Sequence, residues 1–531
     1  GHVYVDKNKN GVFDQSEKPL AGIKVSDGLN VVETAADGSF TLPGHERERF
    51  IFITTPSGYK TFNRHYHKIE KKQSGYDFGL IPYSGRIRKN GSHRYIHIAD
   101  TEIFNTENHA DWVNNVRDYA RNEQAAFIIH TGDICYEKGL KAHIKLMNTE
   151  NMDCPVFYCI GNHDLVKGKY GEELFESIYG PVYYSFDAGN VHYVVTPMPG
   201  GDHAPGYTSD DVCRWLKNDL AHIRPGTPVV VFNHDLLTYE DTFIFKSKNA
   251  GSINLNEYNL KAWVYGHWHI NYMKKQGDVY SVCTSSLDKG GIDHSTTAFR
   301  VMHVDSKGDF TSELRYTYLD KNICIASPAG VMASGVLPVA VNVYSSVSPV
   351  REVLYTCLAD GKPVLKNKRL LQSTDWSWNG ELPLSHKYVG KELTLRVTAR
   401  FNNGEIAEAE SNFICRTEKA VPLFSADWDN LSGNAKHSAP VSAPLNLPLQ
   451  LAWTNNVGAN LYMTSPLIHK GKVIVASVDE DLKGVGHVYA LNGKDGTILW
   501  SCPVRNSIKN SIAVDSDIVF AQDAQGFLYA I

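Results

Sequence analysis

The chain lacks any long hydrophobic run and any strong imbalance of charge. Lysine plus arginine (53) nearly matches aspartate plus glutamate (58) over 531 residues, which leaves a net charge of −5. No segment approaches the roughly 18 consecutive apolar residues that indicate a membrane-spanning helix. No long basic stripe offers a surface for nucleic acid. We therefore expect neither a membrane span nor a specific nucleic-acid patch, while the oligomeric state stays open.

Cysteine is also scarce, and the chain has no initiator methionine. The nine cysteines are scattered, odd in number and free of any C-x-x-C pair, which argues against a disulfide framework and a zinc knuckle. One bridge is conceivable, because Cys357 and Cys415 bracket Trp376 and Trp378 in a β-rich region, as in some β-sandwiches. The missing start predicts that a signal peptide has been removed.

Four regions of different texture follow one another along the chain. Residues 1–84 carry short alternating strands broken by Gly, Asp and Pro, which predict a small β-sandwich. Residues 85–320 alternate apolar strands with amphipathic helices, which predicts an α/β layer structure. Residues 321–418 return to strands and predict a second β-sandwich. Residues 419–531 form the fourth predicted domain.

An internal repeat marks this fourth region. "SPLIHKGKVIVASVDE" from Ser465 is echoed by "SIAVDSDIVFAQ" from Ser511, and a tryptophan recurs at Trp453 and Trp500. With "ADWDNLSGNAKHS" at 426–438, the region resembles the pyrroloquinoline-quinone-type β-propeller family. Because a propeller needs several blades to close, we expect a truncated propeller segment of a longer protein.

Five apolar strands in the 85–320 region end in residue types that bind metals. In an open α/β sheet the carboxyl ends of the strands face one crevice, so these side chains are expected to converge. Carboxylate, amide and imidazole ligands suit Mn²⁺, Fe, Zn²⁺ or Mg²⁺, and their number fits two ions. Glycines before three of them are expected to let the backbone turn sharply. The strand-end residues are Asp100, Asp133, Asn162, His163, His234, His267 and His269.

This series resembles the calcineurin-like metallophosphoesterase superfamily. After Asp100 come "GD" at 132–133, "GNHD" at 161–164, "NH" at 233–234 and "GHWH" at 266–269. The resemblance implies a four-layer α/β/β/α core with a dinuclear centre, flanked here by all-β domains. It assigns the first metal to Asp100, Asp133 and His269, and the second to Asp133, Asn162, His234 and His267.

The first motif departs from the family pattern. The family usually has D-x-H, whereas this chain has "DTE" with Glu102 in the histidine position. Purple acid phosphatases, a branch of the superfamily, use G-D-x-x-Y with a tyrosine on a ferric ion, and "GDICY" places Tyr136 there. Either Glu102 or Tyr136 completes the first metal, or neither does. The metals themselves could be Mn, Fe or Zn.

The resemblance implies a phosphoric ester hydrolase acting on phosphomonoesters or phosphodiesters. Two ions joined by Asp133 would lower the pKa of a shared water and clamp the phosphoryl oxygens, and the resulting hydroxide would attack phosphorus. His163 follows a metal-binding Asn and is expected to protonate the leaving oxygen or stabilise charge, unless it only contacts a ligand. No residue in the loop 197–211 identifies the ester. The alternative function is a multi-domain cell-surface binding protein with a degenerate phosphatase core.

The amino-terminal segment "DKNKNGVFDQSE" at 6–17 fits the calcium-loop pattern D-x-N-x-N-G-x5-E. Strand-like segments flank it where an EF-hand would have helices, so it resembles the calcium loops of prealbumin-like sandwiches in bacterial surface proteins. A polar turn without an ion is the alternative. The pattern predicts a structural Ca²⁺ and a periplasmic, secreted or cell-surface location. The expected calcium ligands are Asp6, Asn8, Asn10, Asp14 and Glu17.

Overall fold

Two compact units make up the chain: Gly1–Thr317, which we call unit one, and Tyr318–Ile531, which we call unit two. The computed structural model describes residues 1–73, 75–418, 426–438, 451–461, 464–481 and 483–531. Within these ranges no helix is both long and apolar enough to cross a membrane. The division into four domains stays a prediction.

Unit one begins with two small sheets packed face to face. Their strand orders are β2-β1-β8-β6 and β4-β3-β5-β7. Alternating side chains of the two sheets, among them Val3, Val25, Ile53 and Leu80, form one buried core. The strands are β1 Val3–Val5, β2 Lys18–Pro19, β3 Lys24–Ser26, β4 Val31–Glu33, β5 Phe50–Ile53, β6 Tyr59–Thr61, β7 Tyr66–Lys68 and β8 Phe78–Pro82.

The rest of unit one contains two larger sheets and four helices. The strand orders are β11-β10-β9-β20-β21 and β12-β13-β14-β17-β19-β18, with β15 and β16 as a separate pair. The elements are β9 His93–Ile98, α1 Ala110–Asn122, β10 Phe127–His130, α2 Tyr136–Leu146, β11 Val156–Tyr158, α3 Glu173–Tyr179, β12 Tyr184–Ala188, β13 Val191–Val195, α4 Ser209–Ala221, β14 Val229–Phe232, β15 Ile244–Lys246, β16 Ser252–Asn254, β17 Leu260–Tyr265, β18 Tyr272–Gln276, β19 Val279–Cys283, β20 Ala298–Val304 and β21 Phe310–Tyr316.

Parallel strands form the centre of both larger sheets. Strands β9, β10 and β11 are parallel in the first sheet. In the second sheet β13, β14, β17 and β19 are parallel. Aromatic side chains from both sheets share one core, in which the Tyr95 ring meets Tyr193 at 5.6 Å and Phe232 at 5.8 Å.

Helix α1 covers the opposite face of the first sheet. Its buried residues Trp112, Val116 and Tyr119 recur at helical spacing and pack with Ile96, next in sequence to the core residue Tyr95. Neighbouring strand residues face opposite sides of a sheet, so Tyr95 and Ile96 bury the two faces. This alternation explains why central strands such as β10 and β14 have apolar residues at consecutive positions rather than at every second one.

Unit two begins with two antiparallel sheets around one core. Their orders are β22-β24-β28-β27 and β23-β30-β29-β25-β26. Cys357 and Cys415 are buried free thiols in this core, so the bridge suggested by their spacing is absent. The strands are β22 Asn322–Ser327, β23 Gly330–Ala333, β24 Gly335–Tyr344, β25 Val350–Ala359, β26 Lys362–Arg369, β27 Leu371–Gln372, β28 Ser377–Leu384, β29 Glu392–Phe401 and β30 Ile406–Arg416.

The carboxyl-terminal part of unit two contains one four-stranded and one three-stranded antiparallel sheet. The start of the fourth predicted domain, 419–425, and the stretch 439–450 lie outside the described residues. The described strands form no closed propeller, and the propeller stays a prediction. The strands are β31 Leu467–His469, β32 Lys472–Ala476, β33 His487–Asn492, β34 Ile498–Pro503, β35 Ala513–Asp515, β36 Ile518–Gln522 and β37 Leu528–Ala530.

Candidate metal centre

The strand-end residues meet at the carboxyl ends of the parallel strands in the two larger sheets of unit one. Asp100 follows β9, and Asp133 follows β10. Asn162 and His163 form a short 3-10 turn after β11. The histidines come from the second sheet, where His234 follows β14 and both His267 and His269 follow β17.

Asp133 is shared by two groups of possible ligands. One ligand atom each from Asp133, His234 and His267 lies within 4.8 Å of the others. The same holds for Asp100, Asp133 and His269. Each group is compact enough for three side chains to contact one ion, and the shared carboxylate places the two positions next to each other.

The imidazole of His234 is oriented by a backbone carbonyl. Its Nδ1 lies 2.7 Å from the carbonyl oxygen of Thr131, which assigns the N–H to Nδ1 and directs Nε2 toward the carboxylates. Nε2 lies 3.1 Å from Asp133 Oδ2 and 3.9 Å from Asp100 Oδ1. Burial disfavours the charged ring, but these carboxylates raise the pKa of His234 to about 9. A cation bound there would replace the proton on Nε2.

Two further groups fit a cation in this position. Oδ1 of Asn162 is buried and has no hydrogen-bond partner among the residues that the structure describes. An orphaned buried acceptor is costly, and a metal ion would satisfy it. Asp100 is fully buried and accepts hydrogen bonds from the backbone N–H of His267, yet burial raises its pKa well above the usual value. A nearby cation would relieve that cost.

The backbone at the site is strained. Non-glycine residues rarely adopt positive φ, and each such residue costs of order 1–3 kcal/mol, a cost that tends to occur at functional sites. The concentration of these angles here indicates that the surrounding fold forces the ligand geometry. The residues are Asp100 (φ 51°), Glu102 (43°), Asp133 (55°), His267 (65°) and His269 (51°).

Two glycines of the motifs allow close approach rather than a special turn. At Gly161 an added Cβ would lie 2.2 Å from Asp133 Oδ1, although its φ is an ordinary −97°. At Gly266 the Cβ would lie 2.7 Å from Asp100 Oδ2. Of the three glycines expected to turn sharply, Gly132 alone has a positive φ, at 96°. Gly161 and Gly266 instead keep space open beside the carboxylates.

Glu102 belongs to the same cluster. Its Oε1 lies 3.5 Å from His269 Nε2, while Oε2 lies 3.0 Å from Lys289 Nζ. Its carboxylate also groups with Asp133 and the sulfur of Cys135 within 4.8 Å. Burial, followed by the charge of Asp133, raises the pKa of the Cys135 thiol, which disfavours the thiolate form that binds metals.

Tyr136 lies at the rim. Its side chain is 44 % exposed, and its hydroxyl oxygen is 3.5 Å from His163 Nδ1. The ring lies nearly parallel to the exposed ring of Phe104, at 6.4 Å between centroids. The structure therefore brings Glu102 into the carboxylate cluster and sets the Tyr136 hydroxyl beside His163. The metal roles of both residues stay predictions.

His163 faces the open side of the centre. Its backbone N–H donates to Asp133 Oδ1 at 3.0 Å, and its Nδ1 lies 2.8 Å from Asp202 Oδ2. Partial burial lowers the pKa of the imidazole, but the hydrogen bond to Asp202 and nearby carboxylates raise it overall. Asp202 thus engages Nδ1 of the ring and leaves Nε2 outside this contact.

Sequence reasoning did not identify Asp202 or Lys289. Neither lies at a strand end or in a motif of fixed spacing. Asp202 is in the loop 197–211, and Lys289 is in a turn after β19. A carboxylate in the loop after β13 was the one available signal, and the loop contains several such residues.

The predicted calcium loop folds around its carboxylates. Backbone N–H groups of Gly11 and Lys7 donate to Asp6 Oδ2 (2.9 Å) and Glu17 Oε1 (2.8 Å). The side-chain amides of Asn8 and Asn10 donate to Asp14 Oδ2. Within the described chain, these carboxylates do not form a group of three ligand atoms within 4.8 Å. The loop is an ordered polar turn, and the ion stays a prediction.

Comparison with known proteins agrees with this geometry. Residues 93–271 match the family model described as calcineurin-like phosphoesterase, and residues 7–82 match the model described as N terminal of calcineurin-like phosphoesterase. No match supports the prealbumin or propeller resemblances, which stay predictions. Purple acid phosphatase 13 of Arabidopsis thaliana is 26 % identical over 215 residues, which are 38 % of this chain and 36 % of that protein. The chain thus spans little more than a third of the length of that relative.

Similarity to solved structures is weak. A conserved uncharacterized protein of Streptococcus pneumoniae TIGR4, a predicted phosphoesterase, has 12 % identity and a TM-score of 0.21, over 43 % of this chain and 98 % of that chain. An endo-beta-1,4-mannanase from Thermotoga petrophila has 7 % identity and a TM-score of 0.17, over 56 % and 48 %. Such scores carry no argument about the fold. The sequence matches and the convergent ligand groups carry the assignment: residues 93–271 are a calcineurin-like phosphoesterase domain, and residues 7–82 form its N-terminal domain.

Proposed function

We propose that unit one is a dinuclear metallophosphoesterase that hydrolyses phosphate esters. The observation that carries this proposal is Asp133, whose carboxylate belongs to two compact ligand groups at once. A shared carboxylate can bridge a pair of ions, and two ions about 3.5–4 Å apart are a recurring device for hydrolysis at phosphorus.

The ligand side chains form two adjacent metal positions. Two bound divalent ions would lower the pKa of a shared water and offset charge on the phosphoryl oxygens. Backbone hydrogen bonds and the positive φ angles of the ligand residues hold the ligand side chains within reach of one another. The first position would use Asp100, Asp133 and His269, and the second would use Asp133, Asn162, His234 and His267.

We further propose that Glu102, rather than Tyr136, completes the first position. The 3.5 Å separation of Glu102 Oε1 from His269 Nε2 supports this choice, whereas the Tyr136 hydroxyl faces His163. Protein loaded with ferric iron should lack a purple charge-transfer band for this reason. A purple colour from tyrosinate-to-iron charge transfer, lost in Tyr136→Phe, would show that Tyr136 is the ligand instead.

His163 is the proposed general acid. Its ring is 34 % exposed at the mouth of the site, and Asp202 holds Nδ1 so that Nε2 can donate a proton to the leaving oxygen. His163→Ala should keep its metal and lose most turnover for esters with poor leaving groups. Equal losses for p-nitrophenyl and alkyl esters would contradict the acid role.

The direct test of the proposed function is turnover of two chromogenic esters. Wild-type protein and Asp133→Asn should be compared with p-nitrophenyl phosphate and bis-p-nitrophenyl phosphate in the presence of Mn²⁺, Fe²⁺, Zn²⁺ or Mg²⁺. We expect wild-type turnover that depends on the metal and is lost in Asp133→Asn. Bound ions without turnover of either ester would contradict hydrolysis and favour the alternative of a binding protein with a degenerate core. The ratio of the two rates separates a monoesterase from a diesterase.

We also propose that the loop at 6–17 binds a structural Ca²⁺ and that the protein works outside the cytoplasm. Support comes from the ligand pattern and from the two buried acids, Asp6 and Glu17. Calcium should raise the unfolding temperature of the full chain, and Asp6→Asn should abolish that increase. An unchanged unfolding temperature would reject the calcium site, and recovery of the natural protein from the cytosolic fraction would reject the location.

The finer points of the fold remain part of the proposal. The shared core of the two larger sheets and the helix α1 on the outer face of one of them support a four-layer α/β/β/α arrangement. A phosphorylated substrate is the partner that the site predicts, and its identity depends on loops such as 197–211. An experimental structure of the natural chain would test the layers and the propeller together.

A further inference from the structure

Lys289 contacts the unusual acid of the first motif. Its ammonium Nζ donates to Glu102 Oε2 at 3.0 Å and to the backbone carbonyl oxygen of Glu102 at 3.1 Å. The other carboxylate oxygen, Oε1, faces His269 Nε2 at 3.5 Å. Lys289 therefore occupies one side of the Glu102 carboxylate and leaves the opposite oxygen directed at the ligand cluster.

A tight turn holds Lys289 in this position. The turn closes where the N–H of Gly290 donates to the carbonyl oxygen of Ser286 at 3.0 Å, and Gly290 has φ 75°. The Asp288 carboxylate lies 3.6 Å from His109 Nδ1 at the start of helix α1. The backbone N–H of Lys289 also donates to Ser286 Oγ at 3.4 Å, so the ammonium reaches Glu102 from a hydrogen-bonded turn rather than from an open loop.

The contact between Lys289 and Glu102 changes the balance of charge at the ligand cluster. Asp100, Asp133 and Glu102 bring three carboxylates to one small region, and Glu102 stands where the family pattern has a neutral imidazole. The glutamate adds one negative charge to the site. The ammonium of Lys289 supplies one positive charge at contact distance and balances it without occupying Oε1.

We propose that Lys289 is a positioning residue that turns Glu102 into a one-oxygen ligand of the first metal position. Lys289 holds Oε2 and the backbone of Glu102, so that Oε1 stays directed toward the ion beside His269. Its charge offsets the added carboxylate. This inference rests on the proposed dinuclear function of the site.

The test is metal affinity, measured by titration of the metal-free full chain with Mn²⁺ in a calorimeter. We expect two Mn²⁺ per wild-type chain. Lys289→Met should weaken one of the two binding steps by about tenfold to a hundredfold, as loss of an outer partner of a ligand typically does. Lys289→Arg should keep most of the affinity, because a guanidinium can pair with the same carboxylate.

Two controls separate positioning from general effects. Lys261→Met removes a comparable ion pair in unit one, at 2.8 Å from Asp309 and away from the ligands, and should leave both binding steps unchanged. In a Glu102→His variant the side chain at position 102 is a neutral imidazole that gives Lys289 no carboxylate to hold. Adding Lys289→Met to this variant should therefore have no further effect on either binding step. The turnover of p-nitrophenyl phosphate with saturating Mn²⁺ provides a second readout for each variant.

Failure of the Lys289 role and failure of the dinuclear site would give different binding results. Two Mn²⁺ bound by wild type and bound equally well or more tightly by Lys289→Met would overturn the role of Lys289 and leave the dinuclear site intact. An equal loss from Lys289→Met with and without Glu102→His would also overturn it, because the effect would not pass through Glu102. Failure of wild-type protein to bind two ions would overturn the function and this inference together.

Discussion

Two buried histidines of the same sheet, His234 and His192, each lie close to two carboxylates, yet the chain uses them differently. His234 has Nδ1 on the carbonyl oxygen of Thr131 and presents Nε2 to the acids. His192 has Nδ1 at 2.7 Å from Asp187 Oδ1 and Nε2 at 2.8 Å from Asp219 Oδ2. A carboxylate on each nitrogen favours the imidazolium form, which has no lone pair to offer a metal. A ring held by a carbonyl keeps one.

Position along the strand separates the two cases. His192 lies near the amino end of β13, beside Val229 at the start of β14. His234 lies just beyond the carboxyl end of β14. Functional side chains of parallel sheets lie beyond the carboxyl ends, where loops leave the sheet and a crevice opens. At the opposite end of the strands the same residue type becomes an internal ion pair.

The largest expected effect is on catalysis and comes from His234→Gln. Loss of a ligand should remove the second ion and reduce kcat/KM for p-nitrophenyl phosphate on the order of 10³-fold, because metal ions contribute several kcal/mol to such reactions. Metal content and turnover measured on one sample check this. The His192→Gln variant is the matched control and should keep both ions. Loss of ions from both variants would contradict the distinction between His234 as a metal ligand and His192 as part of an internal ion pair.

The sequence alone predicted much of this site. Apolar strands ending in Asp100, Asp133 or His234 identify a common crevice, because the topology of parallel strands brings their ends together. It could not predict Lys289 or Asp202, whose contacts depend on how turns and loops fold back over the strand ends. The sequence also does not show that His192 is not a metal ligand. The segment "VHYVV" places a histidine in a strand, but it does not reveal the contacts of that histidine with Asp187 and Asp219.

The next effect is on stability and comes from His192→Gln. His192 is fully buried and Asp219 nearly so, and removal of one partner from a buried pair costs about 3–5 kcal/mol. We expect the free energy of unfolding of unit one, measured with urea, to fall by about that amount while two ions remain bound. His222→Gln removes an exposed imidazole 3.2 Å from the exposed Glu33 and should change stability by less than about 1 kcal/mol. Equal costs would contradict the role of burial.

A smaller effect should appear in the dependence of stability on pH. Burial disfavours the charge on His192, but Asp219 and Asp187 raise its pKa above the usual 6.5. Burial opposes ionisation of Asp219, while His192 lowers its pKa below the usual 3.8. The contribution of the pair is complete between these usual values. It falls as pH rises through the raised pKa of His192, and as pH falls through the lowered pKa of Asp219.

The measurement is the difference in unfolding free energy between wild type and His192→Gln at fixed metal loading. We expect this difference to be largest near pH 5–6 and to shrink toward pH 9. Taking the difference removes the pH dependence of the metal ligands, which both proteins share. A constant difference from pH 5 to 9 would show that His192 is not charged by its two acids.

The smallest expected effect concerns a third histidine, His469 of unit two, which sharpens the rule. Its ligand atoms group with Asp427 and Asp429 within 4.8 Å, as those of the metal centre do. However, Nδ1 lies 2.8 Å from Asp429 and Nε2 lies 3.0 Å from Asp517, so both nitrogens carry carboxylates as in His192. The ring should hold a proton rather than a metal, and here the acids are exposed to water.

The ring of His469 is 12 % exposed, but its acid partners are 41–61 % exposed, and pairs with exposed acids contribute little. His469→Gln should therefore unfold within about 1–2 °C of wild type. It should also leave the metal content of the full chain unchanged, which elemental analysis after zinc loading and gel filtration would check. His234→Gln provides the contrast in the same assay, since it should lose an ion. Loss of one zinc from His469→Gln would mean that proximity of three ligand atoms is sufficient for binding. In that case, the choice between a carbonyl and a carboxylate as hydrogen-bond partner of the ring nitrogens would not decide which histidines bind metal in this chain.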